Sequence, residues 1–105
     1  MPKQVAFRMN LFPGKAAEYR KRHDEVYPEL TKALKDAGVS DYQIWLDAEA
    51  NHLFGFLTLT DDNTMDAMPE LEITKRWWAF MRDIMATDAD NVPVQIPLKR
   101  VFHLK

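Results

Sequence analysis

The sequence contains no cysteine and only three glycines, and neither sign of charge dominates it. The absence of cysteine excludes disulfide bonds, thiolate catalysis and cysteine-ligated zinc, and it fits a reducing compartment. Fourteen basic and sixteen acidic residues give a formal net charge of −2, which argues against a nucleic-acid-binding surface. No run approaches the roughly 18 apolar residues that a membrane span needs. Because no signal peptide is recognised at the N-terminus, we expect a cytoplasmic protein.

Apolar side chains are nevertheless plentiful, and they predict one domain over residues 1–105. They make up 47% of the chain, which is enough for a globular core. From Val5 to Leu11 they alternate with smaller or polar residues, a pattern typical of a strand. Helical spacing follows from Lys15 until Gly38, with Pro28 inside the segment. Since proline disfavours a helical residue before it, we expect a kink or two helices in tandem.

The second half of the chain predicts two strands, a helical region and a closing strand. The strands cover Tyr42–Leu46 and Leu53–Leu59 and are joined by a polar turn. A short helix is expected to end at Met68, and a longer one is expected to begin at Glu70 after a proline. Alternation resumes over Leu98–Leu104, which predicts the last strand.

The resulting order, β-α-β-β-α-β, predicts an α+β fold on the ferredoxin-like plan. We expect one four-stranded antiparallel sheet with helices on one face. The strand Leu53–Leu59 carries apolar groups on both of its faces, so the face without helices needs a cover. Two such sheets packed face to face form a dimeric α+β barrel, and we therefore predict a homodimer.

A histidine interrupts the apolar stripe of the first helical region. His23 follows Tyr19 by four residues, so the two side chains share one face of a helix. Imidazole titrates near neutral pH and can serve as a general acid or base. A structural histidine, hydrogen-bonded at the edge of the core, is the competing interpretation.

Three more aromatic residues are candidates for a binding pocket. Trp77 and Trp78 lie about 100° apart around a helix, so one ring can fill the core while the other lines a cleft. Tyr42 opens its strand on the face that also carries Ile44 and Leu46. A phenol on an inward face usually has a hydrogen-bond partner. Packing in the core is the alternative role for all three.

The other charged and titratable residues indicate little chemistry. We expect His52 in an exposed polar turn and His103 on the last strand. The run Arg20–Arg22 is expected on a solvated helix face. The three histidines lack the close spacing of metal ligands, so no metal site is predicted, and no redox cofactor motif is present.

Taken together, these segments closely resemble the L-rhamnose mutarotase family over nearly the whole chain. The matching segments are Glu18-Tyr19-x-x-Arg22-His23, Pro28-Glu29-Leu30, Asp41-Tyr42, Leu46-Asp47, Arg76-Trp77-Trp78, Asp90-Asn91-x-Pro93-Val94 and Val101-Phe102-His103-Leu104. The family has Trp where this chain has Tyr27, and Asn-Ser-Pro where it has Asn91-Val92-Pro93. These departures touch the expected rim of the pocket and leave the exact sugar open.

The resemblance implies an enzyme that interconverts the α and β anomers of L-rhamnose in a dimeric α+β barrel. It implies that His23 is the proton donor. It also implies that Tyr19, Tyr42, Trp77 and Trp78 bind the sugar, with no cofactor or metal. The alternatives are a mutarotase for another sugar such as L-fucose, a cofactor-free monooxygenase on the same barrel, and a non-enzymatic sugar-binding module.

Overall fold

The computed structural model describes residues 2–105. In chain order its elements are strand β1 (Lys3–Asn10), helix α1 (Ala16–Asp24), helix α2 (Pro28–Asp36), strand β2 (Val39–Asp47), strand β3 (His52–Leu59), a 3₁₀ helix (Met65–Glu70), helix α3 (Glu72–Met81) and strand β4 (Ile96–Pro97). The strands form one antiparallel sheet in the order β2-β3-β1-β4. The α+β fold with the predicted order of elements is therefore confirmed.

Pro28 divides the first helical region into two separate helices. Helix α1 ends at Asp24, and Pro28 is the first residue of α2. Between them Tyr27 adopts φ −58° and ψ 124°, the extended conformation that a residue before proline prefers. Proline fits the first turn of α2 because an N–H has no intrahelical partner there. Of the two forms that we expected, the structure contains the pair of tandem helices.

The helices cover one face of the sheet, and the core lies between them. In the β1–β3 register Val5 pairs with Leu57, and Met9 pairs with Leu53, so their side chains share this inner face. The α-helices contribute buried side chains to the same core, namely Tyr19, Leu30, Trp77 and Met81. The alternation seen in the sequence thus corresponds to one covered and one uncovered face.

Two predicted boundaries are corrected by the structure. The helix expected from Glu70 begins at Glu72, because the 3₁₀ helix continues through Pro69 to Glu70. The strand expected over Leu98–Leu104 is absent, and β4 comprises only Ile96–Pro97.

Strand β4 is short and lies at the edge of the sheet. Pro97 pairs with Phe7 but has no N–H to donate to the ladder. The Leu98 N–H still donates to the Ala6 carbonyl at 3.0 Å, after which no regular pairing continues. If this register continued, residues 98–101 would lie beside residues 3–6, and only residues 102–105 would extend beyond the start of β1.

The outer face of the sheet carries apolar side chains that the helices do not cover. Trp45 is 62% exposed, and Phe56 is also exposed. In the C-terminal tail (residues 98–105), Val101 is 93% exposed, and Phe102 and Leu104 are similarly open to solvent. Within residues 2–105, no helix combines the length and the apolar character that crossing a membrane requires.

Candidate functional site

Helix α1 presents Tyr19 and His23 on one side, as their spacing predicted. Tyr19 is the only buried residue of this nine-residue helix. The imidazole of His23 lies on the phenol ring of Tyr19, with ring centroids 4.2 Å apart and planes inclined by 26°. The two side chains therefore form a stacked pair at the inner surface of α1.

The hydrogen bond of His23 fixes which ring nitrogen carries a proton. Nδ1 lies 3.1 Å from the backbone carbonyl oxygen of Tyr19. A carbonyl oxygen can only accept, so Nδ1 must donate, and the neutral ring has its free lone pair on Nε2. Burial lowers the pKa of this imidazole, while the bond to Tyr19 and the charge of Asp24 act in the opposite direction. The neutral ring, with Nε2 as acceptor, is thus favoured near neutral pH.

Helix α3 supplies the aromatic wall opposite this pair. The Trp77 ring meets the His23 ring edge-on, with centroids 5.3 Å apart, and meets the Tyr27 ring in the same way at 5.1 Å. Trp77 is only 8% exposed. Trp78, one position later, is half-buried and packs against the core. Of the two tryptophans, it is Trp77 that contacts the histidine.

Tyr42 approaches the same region from strand β2. The β2–β3 register shifts between Ser40 and Gln43, and Asp41 adopts φ 47°, so Tyr42 lies within a β-bulge. Its ring contacts the Phe7 ring edge-on, with centroids 6.3 Å apart. Although 36% of Tyr42 is exposed, burial of its phenol raises the pKa to about 12.

The two phenols are close enough to affect one another. The pKa of Tyr19 is raised mainly by burial and further by its interaction with Tyr42. Both phenols are therefore protonated at neutral pH and can donate hydrogen bonds. The site thus combines one imidazole acceptor with two phenolic donors beside an indole.

Gly55 on strand β3 makes room for the ring that supports Tyr42. A Cβ atom at position 55 would overlap the Phe7 ring, which lies across the glycine. Gly55 pairs with Phe7 on one side and with Ile44 on the other, so it occupies the middle of the inner sheet face. The lack of a side chain at Gly55 therefore lets the Phe7 ring pack directly against the backbone of β3.

Sequence reasoning missed Phe80 and Arg22 beside the site, and it named Tyr27 only as a departure at the expected rim of the pocket. Tyr27 and Phe80 stack at 6.0 Å and both contact Trp77. Arg22 was expected to be solvated, but its side chain is only 12% exposed and bonds across to α3. The only local signal for Arg22 was Glu18, one helical turn earlier.

The remaining histidines lie away from this cluster. His52 starts β3 and is half-buried, with an edge contact to Phe54, so the expectation of an exposed turn is wrong. His103 lies in the exposed tail, 3.5 Å from Arg100. A groove of about 520 Å³ beside the tail contains none of the five predicted site residues. Among the predicted residues, His23 contacts both Tyr19 and Trp77, Tyr42 interacts with Tyr19, and Trp78 packs against the core.

Comparisons with known proteins support an assignment. The sequence model of the L-rhamnose mutarotase family matches residues 4–104 of this chain. The L-rhamnose mutarotase of Rhizobium meliloti is 59% identical over 102 residues, covering 97% of this chain and 98% of the relative. That of Sinorhizobium medicae is 57% identical over the same shares. A crystal structure of L-rhamnose mutarotase from Formosa agariphila superposes with a TM-score of 0.91 at 45% identity, covering 98% of this chain and 99% of that one.

Proposed function

This chain belongs to the L-rhamnose mutarotase family, and we propose that it interconverts the α and β anomers of L-rhamnose with His23 as the proton-transfer residue. The observation that carries the catalytic assignment is the environment of His23. Its imidazole lies between the Tyr19 and Trp77 rings, with Nδ1 bound to a backbone carbonyl and Nε2 left for a substrate.

Mutarotation requires two coupled proton transfers. When the pyranose opens, the C1–O5 bond breaks and its electron pair moves to O5, which takes up a proton. The O1–H proton leaves at the same time, and O1 becomes the carbonyl oxygen of the open aldehyde. One general base at O1 and one general acid at O5 therefore suffice.

We assign the base at O1 to Nε2 of neutral His23. In the opening step Nε2 takes the O1 proton and the ring becomes an imidazolium. After rotation about C1–C2, O5 attacks the other face of the carbonyl carbon, and the imidazolium returns a proton to O1. The donor role that the family resemblance implies is thus carried out in the closing step.

A phenol of Tyr19 or Tyr42 is our candidate for the acid at O5. A phenol is ordinarily protonated at neutral pH, and burial raises the pKa of both side chains further. The phenol donates to O5 on opening and recovers its proton on closing, so no net proton is consumed.

Binding of the sugar is proposed to use four aromatic side chains, in keeping with the chemistry of rhamnose. This sugar combines hydroxyl groups with a methyl group at C5. Phenols and indole N–H groups can hydrogen-bond the hydroxyls, while the rings cover the apolar side. The residues concerned are Tyr19, Tyr42, Trp77 and Trp78.

We further propose that the protein is a cytoplasmic homodimer. The uncovered sheet face, with Trp45 and Phe56, and the apolar tail are surfaces that a second copy would bury. Light scattering should therefore give a dimer mass, and Phe56→Asp should raise the dimer dissociation constant. A monomer mass at micromolar concentration would contradict the homodimer. Cell fractionation tests the location, and recovery outside the cytoplasmic fraction would contradict it.

Anomer exchange measured by NMR tests the activity directly. The α anomeric proton of L-rhamnose is saturated and the β signal is observed, with catalytic amounts of protein. We expect enzyme-dependent transfer that falls by about 10²–10⁴-fold in His23→Gln, the usual contribution of a general acid or base. His52→Gln is the matched control, because this histidine lies away from the site, and it should keep activity.

Two outcomes would contradict the proposal in different ways. Transfer with L-fucose or another hexose but not with L-rhamnose would change the sugar and keep the reaction. Wild-type rates in a folded His23→Gln variant would remove His23 from the mechanism.

A further inference from the structure

Arg22 makes a set of bonds that joins helix α1 to the end of helix α3. Its Nη1 donates to the Phe80 carbonyl at 2.7 Å and to Asp83 Oδ1 at 2.8 Å, and its Nη2 donates to Asp83 Oδ2 at 3.2 Å. Its Nε donates to Glu18 at 2.8 Å within α1. One guanidinium therefore binds two carboxylates and a helix-terminal carbonyl at once.

The planar shape of arginine suits this position. A forked contact to a carboxylate fixes orientation as well as distance, which the single ammonium group of lysine cannot do. The Phe80 carbonyl lies in the last turn of α3, where carbonyls lack intrahelical partners. The hydrogen bonds from Arg22 lower the pKa of Asp83, so the contact favours the ionised carboxylate.

The same guanidinium connects to the aromatic cluster of the site. Its central carbon lies 4.4 Å from the centre of the Phe80 ring, a cation–π contact. Phe80 in turn contacts Trp77 at 5.9 Å, and Trp77 contacts His23. Arg22 is thus linked to the ring of its sequence neighbour His23 through the side chains of Phe80 and Trp77.

Little else holds α1 in place. The backbone of α1 comes close to other elements at few points, and Tyr19 is its only buried residue. Residues 25–27 separate it from α2, so it is not the continuation of a longer helix. The position of His23 beside Trp77 thus depends on a few side-chain contacts between α1 and α3.

We propose that Arg22 is a positioning residue for the mutarotase reaction: its contacts with Asp83 and Phe80 hold α1 against α3, so that the His23 imidazole stays between Tyr19 and Trp77. This inference rests on the proposed function of His23. Arg22 itself need not touch the sugar, and its effect is transmitted through the placement of the imidazole.

Three variants and one matched control test this role by anomer exchange. Arg22→Gln removes the charge and the fork, Asp83→Asn weakens the acceptor, and Arg22→Lys keeps the charge without the fork. Arg20→Gln is the control. Arg20, like Arg22, pairs with a carboxylate of α1, here that of Asp24, but the Arg20 side chain is 83% exposed. Folding of every variant is checked by circular dichroism.

The expected pattern separates positioning from substrate binding. We expect kcat to fall about 10- to 100-fold in Arg22→Gln, because a shift of about 1 Å in the His23 imidazole can cost up to about 100-fold in rate. The change in KM should be much smaller. Arg22→Lys should retain more activity than Arg22→Gln, and Asp83→Asn should lose activity in the same direction. Arg20→Gln should match the wild type.

An NMR signal of the histidine gives a readout that stability alone would not move. The His23 ring lies beside the Tyr19 and Trp77 rings, whose ring currents should shift the resonance of its Cε1 proton. We expect this resonance to move toward the shift of a free histidine in Arg22→Gln and to stay unchanged in Arg20→Gln.

The outcomes distinguish this inference from the proposed function. If the wild type does not exchange anomers, the proposed function fails first. If the wild type is active and folded Arg22→Gln keeps its kcat and its His23 shift, the positioning role is overturned. Should Arg22→Gln fail to fold, Asp83→Asn decides: unchanged kcat and an unchanged His23 resonance there would refute the role.

Discussion

Replacing Gly55 by alanine should disturb the site through the Phe7 ring on the inner face of the sheet. A Cβ atom at this position would overlap the Phe7 ring, and Phe7 is buried with little space to retreat. Backbone strain is not involved, because Gly55 does not have the positive φ seen at Gly14 and Gly38. The whole effect should therefore come from displacing one ring.

The magnitude follows from the cost of overpacking. Adding a methylene-sized group to a packed core costs about 1–3 kcal/mol. For a domain near 100 residues, about 4–8 °C of melting temperature is lost per kcal/mol, so Gly55→Ala should melt roughly 5–20 °C lower. Since the Phe7 ring contacts Tyr42 edge-on, KM for the sugar should rise as well.

A double-mutant cycle tests the cause. Phe7→Leu shortens the displaced side chain, so the free energies of unfolding of Gly55→Ala, Phe7→Leu and the double variant should not add. Contacting residues commonly couple by about 0.5–3 kcal/mol, and here the coupling should be favourable. Additive losses, or a Gly55→Ala variant as stable as the wild type, would refute the reasoning.

Three further predictions concern the aromatic residues and the titration of the histidine. Tyr42→Phe and Tyr19→Phe each remove one phenolic hydroxyl. Loss of the hydroxyl that donates to O5 should lower kcat by about 10²-fold or more while the fold is kept. Wild-type rates in both variants would exclude both tyrosines as the acid. Trp77→Leu should lose about 0.5–1.5 kcal/mol for each lost aromatic pair, and anomer exchange should weaken because His23 loses its wall; unchanged stability in urea would contradict this. The pKa of His23 is lower in the folded protein than the ordinary value near 6.5, so its stabilising contribution is present above that pH and is lost as pH falls toward the folded value. The wild type should therefore lose more stability than His23→Gln between pH 7 and pH 5, as measured by urea unfolding, and parallel losses would refute the lowered pKa.

Much of the fold follows from local pattern, because periodicity decides which face of an element is buried. The alternation from Val5 predicted β1, and Pro28 predicted the break between α1 and α2. The spacing of Tyr19 and His23 likewise predicted their shared face, which the stacked rings confirm. Each of these predictions depends only on residues within a few positions of one another.

Contacts between distant segments were beyond the reach of such patterns. Arg22 looked like any solvated helix residue, because Asp83 lies 61 residues away in the chain. The strand predicted over Leu98–Leu104 had the right alternation, but its pairing with β1 stops after the Leu98 N–H. The need for Gly55 appears only once the register places Phe7 across it.

The pH dependence of anomer exchange tests the role of His23 most directly. The kcat/KM for L-rhamnose is measured from pH 4.5 to 9 by saturation transfer, and the Cε1 resonance of His23 is titrated in the same samples. We predict that kcat/KM rises with pH through the pKa of His23, which lies below the ordinary value, and then stays level, because the neutral imidazole accepts the O1 proton. A kcat/KM that falls as the pH rises through that same pKa would show that the imidazolium is the active form and would contradict this mechanism.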